Sequence, residues 1–430
     1  MRHNRYIYIV QLDDKQSVIF NGLNKKFILL DKRSLASYET LLANPDAYIN
    51  SHPKILQELK DGLFIIEDNF DELEEMKKKR IEFINAPVFK TSIIPTFECN
   101  YKCWYCKQDH RPLKLEEIKL EKVIKHIKKY LIDNKIEEYI LSWYGGEPLT
   151  QPTIIESVST ELLDFCKCNN IKFYGAITTN GALLSQSIVE MLKQCRINEY
   201  QIAIDGDKKS HDKNKNDDLN DSSFELILGN IAYLAHSNQD AIITLRLNHT
   251  PKDIEDTHLV DEINSIIPQS IRNRITVDLQ RIWQIDERQY NIVNLNRIGR
   301  KFVESGYRLS TSHVFAMCYV EKKHYNTYYY TGQVEKCDLK TMDNLRGNID
   351  VNGDIIWNQK PLFNQYDVLG NESDCSKCDY YPICYCGCPV KREDSILKDG
   401  HIKCGFGNDF SKLEHRIKDY CYRVLNNSLL

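Results

Sequence analysis

Cys99, Cys103 and Cys106 stand in the order Cys-x3-Cys-x2-Cys, directly after the apolar run Thr91 to Phe97 and with Tyr105 just before the last thiol. Four thiolates saturate a cubane [4Fe-4S] cluster, so three leave one iron open to a ligand that is not protein. Closely spaced cysteines also suit a structural zinc site, and the triad alone leaves both chemistries standing. A denser array occupies the last third of the chain: Cys318, Cys337, Cys375, Cys378, Cys384, Cys388 and Cys404, with Cys386 set between two of them.

Thiols of this kind need elements that bring them to one place. From residue 91 the pattern alternates strand and helix, which predicts parallel strands in βα units. Strands are expected at Thr91 to Phe97, Glu138 to Tyr144, Lys172 to Thr179, Glu199 to Asp205, Ala241 to Asn248 and Ile275 to Ile282. Helical periodicity fills the gaps at Leu115 to Asn134, Thr153 to Cys168, Ser185 to Gln194, Phe224 to His236 and Thr257 to Ile266. Six such units are too few to close an eight-stranded barrel, so the expected fold is α/β with a partial (β/α)6 TIM-like barrel. Chemistry in such barrels sits at the C-terminal strand ends.

The informative residues fall at those ends. Gly145-Gly146-Glu147-Pro148 follows the second strand, Thr178-Thr179-Asn180-Gly181 closes the third, and Asp205-Gly206 closes the fourth with His211-Asp212 behind it. Glycine lets backbone approach a ligand, and a carboxylate accepts from an ammonium group. Arg246 and Asn248 share one face of the fifth strand, where they reach ribose or carboxylate or else simply pack. Gln280, Arg281 and Trp283 are placed towards a substrate by position alone, and His211 reads as a loop or helix-start residue.

Composition narrows the class. The chain has 430 residues, 42% hydrophobic and 27% charged, which suits two to three globular domains rather than a disordered or fibrous protein. No apolar run approaches the ~18 residues of a membrane span, and the polar, basic start is not a signal-peptide core. A cytoplasmic location without membrane attachment is therefore expected. Fifteen cysteines in that compartment suit metal better than disulfides. The net charge of -4 offers no attraction to nucleic acid.

The triad, Gly145 to Pro148 and the strand-end residues together resemble the radical S-adenosylmethionine superfamily over roughly residues 90 to 285. The resemblance implies that the open iron binds the methionine end of S-adenosylmethionine and that Tyr105 packs against its adenine. It also implies that Gly145, Gly146 and Glu147 contact the amino group, while Thr179, Asn180, Gln201, Asp205, Arg246 and Asn248 hold the remainder or face substrate. One-electron reduction of the cofactor would give a 5'-deoxyadenosyl radical that removes a hydrogen atom from the substrate. The later cysteines resemble the SPASM domain, which implies two auxiliary [4Fe-4S] clusters and three in all. By analogy Cys375, Cys378, Cys384 and Cys404 saturate one, while Cys318, Cys337 and Cys388 leave the other one ligand short. An open iron, a non-cysteine ligand or Cys386 would complete it. Asp338, beside Cys337, is placed to act as a base or is a solvated loop aspartate. His324 reads as a plain loop histidine, and Cys166, Cys168, Cys195 and Cys421 as packing or surface residues.

Ahead of the barrel, strand patterns at Tyr6 to Leu12, Ser17 to Phe20 and Lys26 to Leu30 precede helical patterns at Ser34 to Leu42 and Pro53 to Lys60 and an apolar return at Gly62 to Ile66. This resembles the winged-helix-like leader-recognition domains of peptide maturases. The implied layout is a peptide-recognition domain over 1–80, a radical barrel over 88–290 and an iron-sulfur SPASM domain over 310–415. The implied activity is a peptide maturase that installs a thioether or carbon-carbon crosslink in a ribosomally made precursor peptide, supplied with electrons by a flavodoxin or ferredoxin. Two alternatives stand beside it: an anaerobic sulfatase-maturating enzyme forming formylglycine, and a non-catalytic zinc scaffold.

Overall fold

The computed structural model describes every residue except 109, 216–221, 313, 363–367, 371–372 and 405–410. Packing divides the chain into two units, one of Met1–Asn85, Ser312–Lys322 and Leu362–Tyr422, the other of Ala86–Thr311, Lys323–Pro361 and Arg423–Leu430. In the first, β1 (Arg2–His3), β2 (Ile7–Gln11), β3 (Gln16–Asn21) and β4 (Phe27–Asp31) lead into α1 (Lys32–Ala43), α2 (Pro53–Asp61), β5 (Ile65–Ile66) and α3 (Glu72–Ile84). β2, β3 and β4 form an antiparallel sheet with β3 in the middle, and β1 pairs antiparallel with β5.

Local chemistry explains these boundaries. Asp31 starts α1 by accepting the Ser34 N–H at 2.7 Å, and Asp71 starts α3 by accepting those of Leu73 and Glu74 at 3.0 Å. Pro53 opens α2, where its missing N–H leaves nothing unpaired. The apolar return expected over 62–66 shortens to two residues because 62–64 close α2: the Gly62, Leu63 and Phe64 N–H groups bond back to Glu58, Lys60 and Leu59. Leu63 takes φ +56° to do so. Ile19, Leu41, Leu42, Leu56, Leu59, Phe64 and Ile65 bury together beneath the sheet.

The second unit carries β6 (Val88–Ile94), α4 (Leu120–Asp133), β7 (Glu138–Trp143), α5 (Pro152–Cys168), β8 (Lys172–Thr179), α6 (Gln186–Gln194) and β9 (Ile197–Asp205). It continues with α7 (Lys208–Lys215), α8 (Ser223–Ser237), β10 (Ile242–His249), α9 (His258–Ile266), α10 (Gln269–Arg272), β11 (Ile275–Arg281), α11 (Ile292–Glu304) and β12 (Arg308–Leu309). β13 (Tyr325–Tyr329), β14 (Gln333–Glu335), β15 (Gly347–Ile349) and β16 (Ile355–Trp357) complete it. One eleven-stranded sheet runs β12-β11-β10-β9-β8-β7-β6-β13-β14-β15-β16. The neighbours from β12 to β13 pair parallel, and the remaining pairs are antiparallel.

The six expected barrel strands are present in the expected order, and β12 and β13 extend the parallel run beyond them. β13 joins β6 from more than two hundred residues away, a partnership no local pattern encodes. Alternation within the strands separates two chemistries. Leu245, Leu247, Ile202, Ile204, Val277 and Leu279 bury in the apolar cluster under the helices, whereas Gln201, Asp205, Arg246, Asn248, Asp278 and Gln280 occupy the other face.

Returning to the first unit, α12 (Asp374–Lys377), α13 (Tyr381–Cys384) and α14 (Pro389–Asp399) carry most of the later cysteines, and α15 (Ser411–Asn427) is divided between the two units. Within the first unit Glu321, 1% exposed, accepts from Arg80 at 2.9 and 3.0 Å and also from Arg392. This carboxylate joins α3, the 312–322 segment and α14.

Candidate active site

The thiol loop begins as soon as β6 ends. Its path is fixed by main-chain bonds to the next strand: Gly146 N–H donates to Thr96 O at 3.2 Å and Glu147 N–H to Glu98 O at 2.7 Å. The two glycines are required there. A Cβ on Gly146 would lie 2.1 Å from Glu98 O, and Gly145 adopts φ +138° with its Cβ position 2.6 Å from Thr96 O. Gly146→Ala is therefore expected to destabilise the barrel by about 1–3 kcal/mol, as overpacking against immobile backbone does. A denaturation midpoint unchanged from the parent would contradict that packing.

Cys99 and Cys103 are half-buried and Cys106 is exposed, and all three are free thiols. Cys99 Sγ accepts the Tyr101 N–H at 3.4 Å, Cys106 Sγ accepts the Gln108 N–H at 3.5 Å, and Cys106 N–H donates to Cys103 O at 3.0 Å. His110 Nε2 lies 3.1 Å from Cys106 Sγ. Burial pushes the Cys99 thiol up to about 12, against the bond from Tyr101. Cys103 is raised by burial too, with the Lys215 charge opposing it.

Behind the loop Glu147 is fully buried and uses its side chain as a clasp. Its carboxylate accepts from Thr179 Oγ1 at 2.7 Å, Asn180 N–H at 2.7 Å and Leu149 N–H at 3.0 Å, which locks the end of β7 to the end of β8. Burial raises its pKa despite these donors. Asn180 turns its amide to the thiol loop, donating to Asn100 Oδ1 at 2.7 Å and lying 3.8 Å from Cys99 Sγ.

Asp205 is the hub of the next strand end. The Tyr105 hydroxyl lies 2.6 and 2.7 Å from its two oxygens, Asn248 Nδ2 donates at 3.0 Å, and Lys215 Nζ is 3.4 Å away. Burial would raise this carboxyl, but the Lys215 charge and the two donors hold it below the ordinary range. Burial and the Asp205 charge push the Tyr105 phenol far up, so it stays a donor. Arg246 Nε donates to Asn248 Oδ1 at 3.1 Å, extending the network along β10. Gln201 sits four residues before Asp205 on the same strand face, half-buried.

His211 lies near the start of α7, one of the two placements expected; Asp205 N–H donates to its Nδ1 at 3.1 Å and its ring packs against Phe224. Burial drops its pKa to about 3, so it is a neutral strand-end strut, not a proton donor. The sequence reading missed Lys215, which is 2% exposed on the same helix. Its signal was the i, i+4 spacing from His211, which puts both on one face of an otherwise solvated helix. Asp278 was missed as well. It is 2% exposed on the lumen face of β11, held by Gln280 Nε2 at 3.0 Å to both oxygens and by Arg423 at 3.5 Å. Trp283 is exposed with Lys107 over its ring, and Gln284 bonds the Tyr105 carbonyl.

Asp338 lies in the barrel unit, where its charge acts on the buried Tyr144 phenol at the end of β7 and on Tyr325 and Tyr329. Cys337 precedes it in the same unit. The first unit holds Cys318, Cys375, Cys378, Cys384, Cys388 and Cys404. Cys386, buried and at φ +67° between Tyr385 and Gly387 that are also left-handed, lies 3.0 Å from Cys375 Sγ. His324 accepts or donates at 2.9 Å with the Tyr130 hydroxyl, consistent with a structural role. Among the described residues no three His, Cys, Asp or Glu side chains converge on a single-ion position. The donor chemistry of three free thiols on one loop fits three irons of a cubane cluster. No helix among the described residues is long and apolar enough to cross a membrane.

Known proteins are similar to this chain in sequence and fold. Residues 93–259 match the family model described as the radical SAM superfamily. The chain is 24% identical over 320 residues to the radical SAM cyclopropyl synthase TigE of Paramaledivibacter caminithermalis, covering 61% of this chain and 66% of TigE. It is 23% identical over 375 residues to a cysteine-type anaerobic sulfatase-maturating enzyme of Clostridium novyi, covering 76% of this chain and 96% of that enzyme. Among solved structures, anSMEcpe with bound AdoMet aligns with TM-score 0.54 at 17% identity over 79% of this chain and 100% of its own. Streptococcus suis SuiB bound to its precursor peptide SuiA aligns with TM-score 0.50 at 15% identity over 93% and 97%. The thiol loop at the end of β6 and the Gly-Gly-Glu clasp at the end of β7 both fall within the residues, 93–259, that are similar to the radical SAM superfamily.

Proposed function

We propose that the protein is a radical S-adenosylmethionine peptide maturase that forms an oxidative thioether or carbon-carbon crosslink in a ribosomally made precursor peptide. The observation that carries it is the Tyr105–Asp205–Asn248 network beside the thiol loop, the centre of a polar face at the strand ends. When bound, the cluster and S-adenosylmethionine supply one-electron cleavage and removal of a hydrogen atom from substrate. Cys99, Cys103 and Cys106 would hold the cluster, and Gly145, Gly146 and Glu147 would shape the amino-group side. Thr179, Asn180, Gln201, Asp205, Arg246 and Asn248 would orient the rest, with Tyr105 as a wall.

The same proposal assigns 1–80 to leader recognition, in which an edge of the β2-β3-β4 sheet would take an extended peptide by backbone pairing. It assigns 88–290 to the radical barrel and 310–415 to a SPASM domain. Cys375, Cys378, Cys384 and Cys404 would hold one auxiliary [4Fe-4S] cluster, and Cys318, Cys337 and Cys388 another that accepts the substrate's electron. Asp338 would take the substrate proton beside that second site. A flavodoxin or ferredoxin would supply electrons in the cytoplasm. Support for a peptide substrate comes from SuiB, solved with a precursor peptide, at 15% identity.

A second proposal rests on the sulfatase-maturating relative, matched along 96% of its length: oxidation of a cysteine or serine to formylglycine. Anaerobic reaction of the reduced, iron-loaded protein with a candidate precursor peptide separates the two. Crosslinking gives deoxyadenosine and a peptide lighter by one pair of hydrogens, with no aldehyde. A hydrazine-reactive aldehyde selects formylglycine formation, and deoxyadenosine with an unchanged peptide mass overturns the maturase proposal.

A further inference from the structure

Lys215 ends α7 with its ammonium group in the protein interior. It is 2% exposed, 3.4 Å from Asp205 Oδ2 and 5.8 Å above the ring of buried Tyr101. Burying an ammonium is costly unless it is paired, so a chain that keeps one there holds it against that cost. Asp205 neutralises it in part, and itself meets the thiol loop through the Tyr105 hydroxyl at 2.6 and 2.7 Å. Tyr101, whose ring lies under the Lys215 ammonium, stands between Cys99 and Cys103 and donates its N–H to Cys99 Sγ at 3.4 Å, so the buried charge sits beside the thiol loop.

The loop and helix are also tied mechanically. Lys102 N–H donates to the Lys215 carbonyl at 3.2 Å, and Trp104 Nε1 donates to Asn214 Oδ1 at 3.0 Å. Both bonds survive replacement of the Lys215 side chain, so its charge can be removed without releasing the loop.

We propose that Lys215 is an electrostatic positioning residue for the cluster held at Cys99, Cys103 and Cys106, its buried positive charge raising the cluster's reduction potential while Asp205 lowers it. The inference rests on the radical SAM reading of that loop. A fixed cation stabilises the added electron as it stabilises a thiolate, and low dielectric makes the effect long-ranged. Charge near the cluster and its burial are among the levers a protein has over such potentials.

The test is potentiometric, on the full-length iron-loaded protein with the cluster signal followed by electron paramagnetic resonance. Lys215→Met should make reduction of this cluster harder by about tenfold or more in equilibrium constant, which is about 59 mV for one electron. Lys215→Arg should restore the parent potential, and Asp205→Asn should move it the opposite way, upward. Opposite signs for the two charge removals separate electrostatics from loosened packing, which shifts both in one direction. Shifts of like sign, or none in Lys215→Met at full iron content, overturn the inference. Should Lys215→Met fail to fold, Asp205→Asn alone decides the sign. Failure of the parent to bind iron at the triad would instead refute the radical SAM reading itself.

Discussion

The combined variant Cys99→Ala/Cys103→Ala/Cys106→Ala is expected to lose the iron of one cubane cluster and all deoxyadenosine formation while its far-ultraviolet circular dichroism stays that of the parent. The thiols contribute little to the path of their loop. Main-chain bonds from Gly146 and Glu147, the Lys102–Lys215 bond and the Trp104–Asn214 bond hold it whether or not sulfur is present. Removing the ligands should therefore strip chemistry from an intact barrel. The thiols proposed to hold auxiliary clusters remain in this variant, so on that proposal its iron content should fall in part, not to zero. Iron and sulfide analysis with chromatography of the S-adenosylmethionine products checks both halves, and residual deoxyadenosine would place the reactive iron elsewhere in the chain.

Glu321→Ala is expected to cost about 3–5 kcal/mol, the usual penalty for leaving a buried charge without its partner. The 1%-exposed carboxylate is shared by Arg80 and Arg392, themselves 6% and 3% exposed, so its loss strands two guanidinium groups in the interior of the first unit. Compare the Arg5–Asp379 pair at 2.9 Å, where the side chains are 32% and 64% exposed. There solvent screening leaves at most ~1 kcal/mol. Denaturant titrations of Glu321→Ala and Asp379→Ala should separate accordingly at similar m-values. A loss at Glu321 no larger than at Asp379 would show that water reaches the buried network.

Much of the site was legible because βα order does geometric work. Once strands and helices alternate in a parallel sheet, every residue just after a strand lies at one end of the sheet. That is how the triad, Gly145 to Glu147, Thr179 to Asn180 and Asp205 could be grouped from spacing alone. What each side chain does was not legible. Glu147 looked like a ligand to an ammonium group, and its carboxylate also clasps two strands through three donors. His211 read as a loop or helix-start residue, and beyond that placement it is the acceptor that fixes the Asp205 N–H. Cys386 looked like a spare thiol, and it stands 3.0 Å from Cys375.

The sequence by itself determined the thiols, their spacing, and the strand ends that must gather around them, because these follow from chain order and the two periodicities of backbone structure. Only the tertiary structure decided which charges meet. Lys215 reaches the thiol loop from a helix more than one hundred residues away, β13 joins the sheet from still farther, and Glu321 gathers arginines from two distant segments. Burial sets the strength of such pairings, and burial is a property of the folded interior that no local pattern carries.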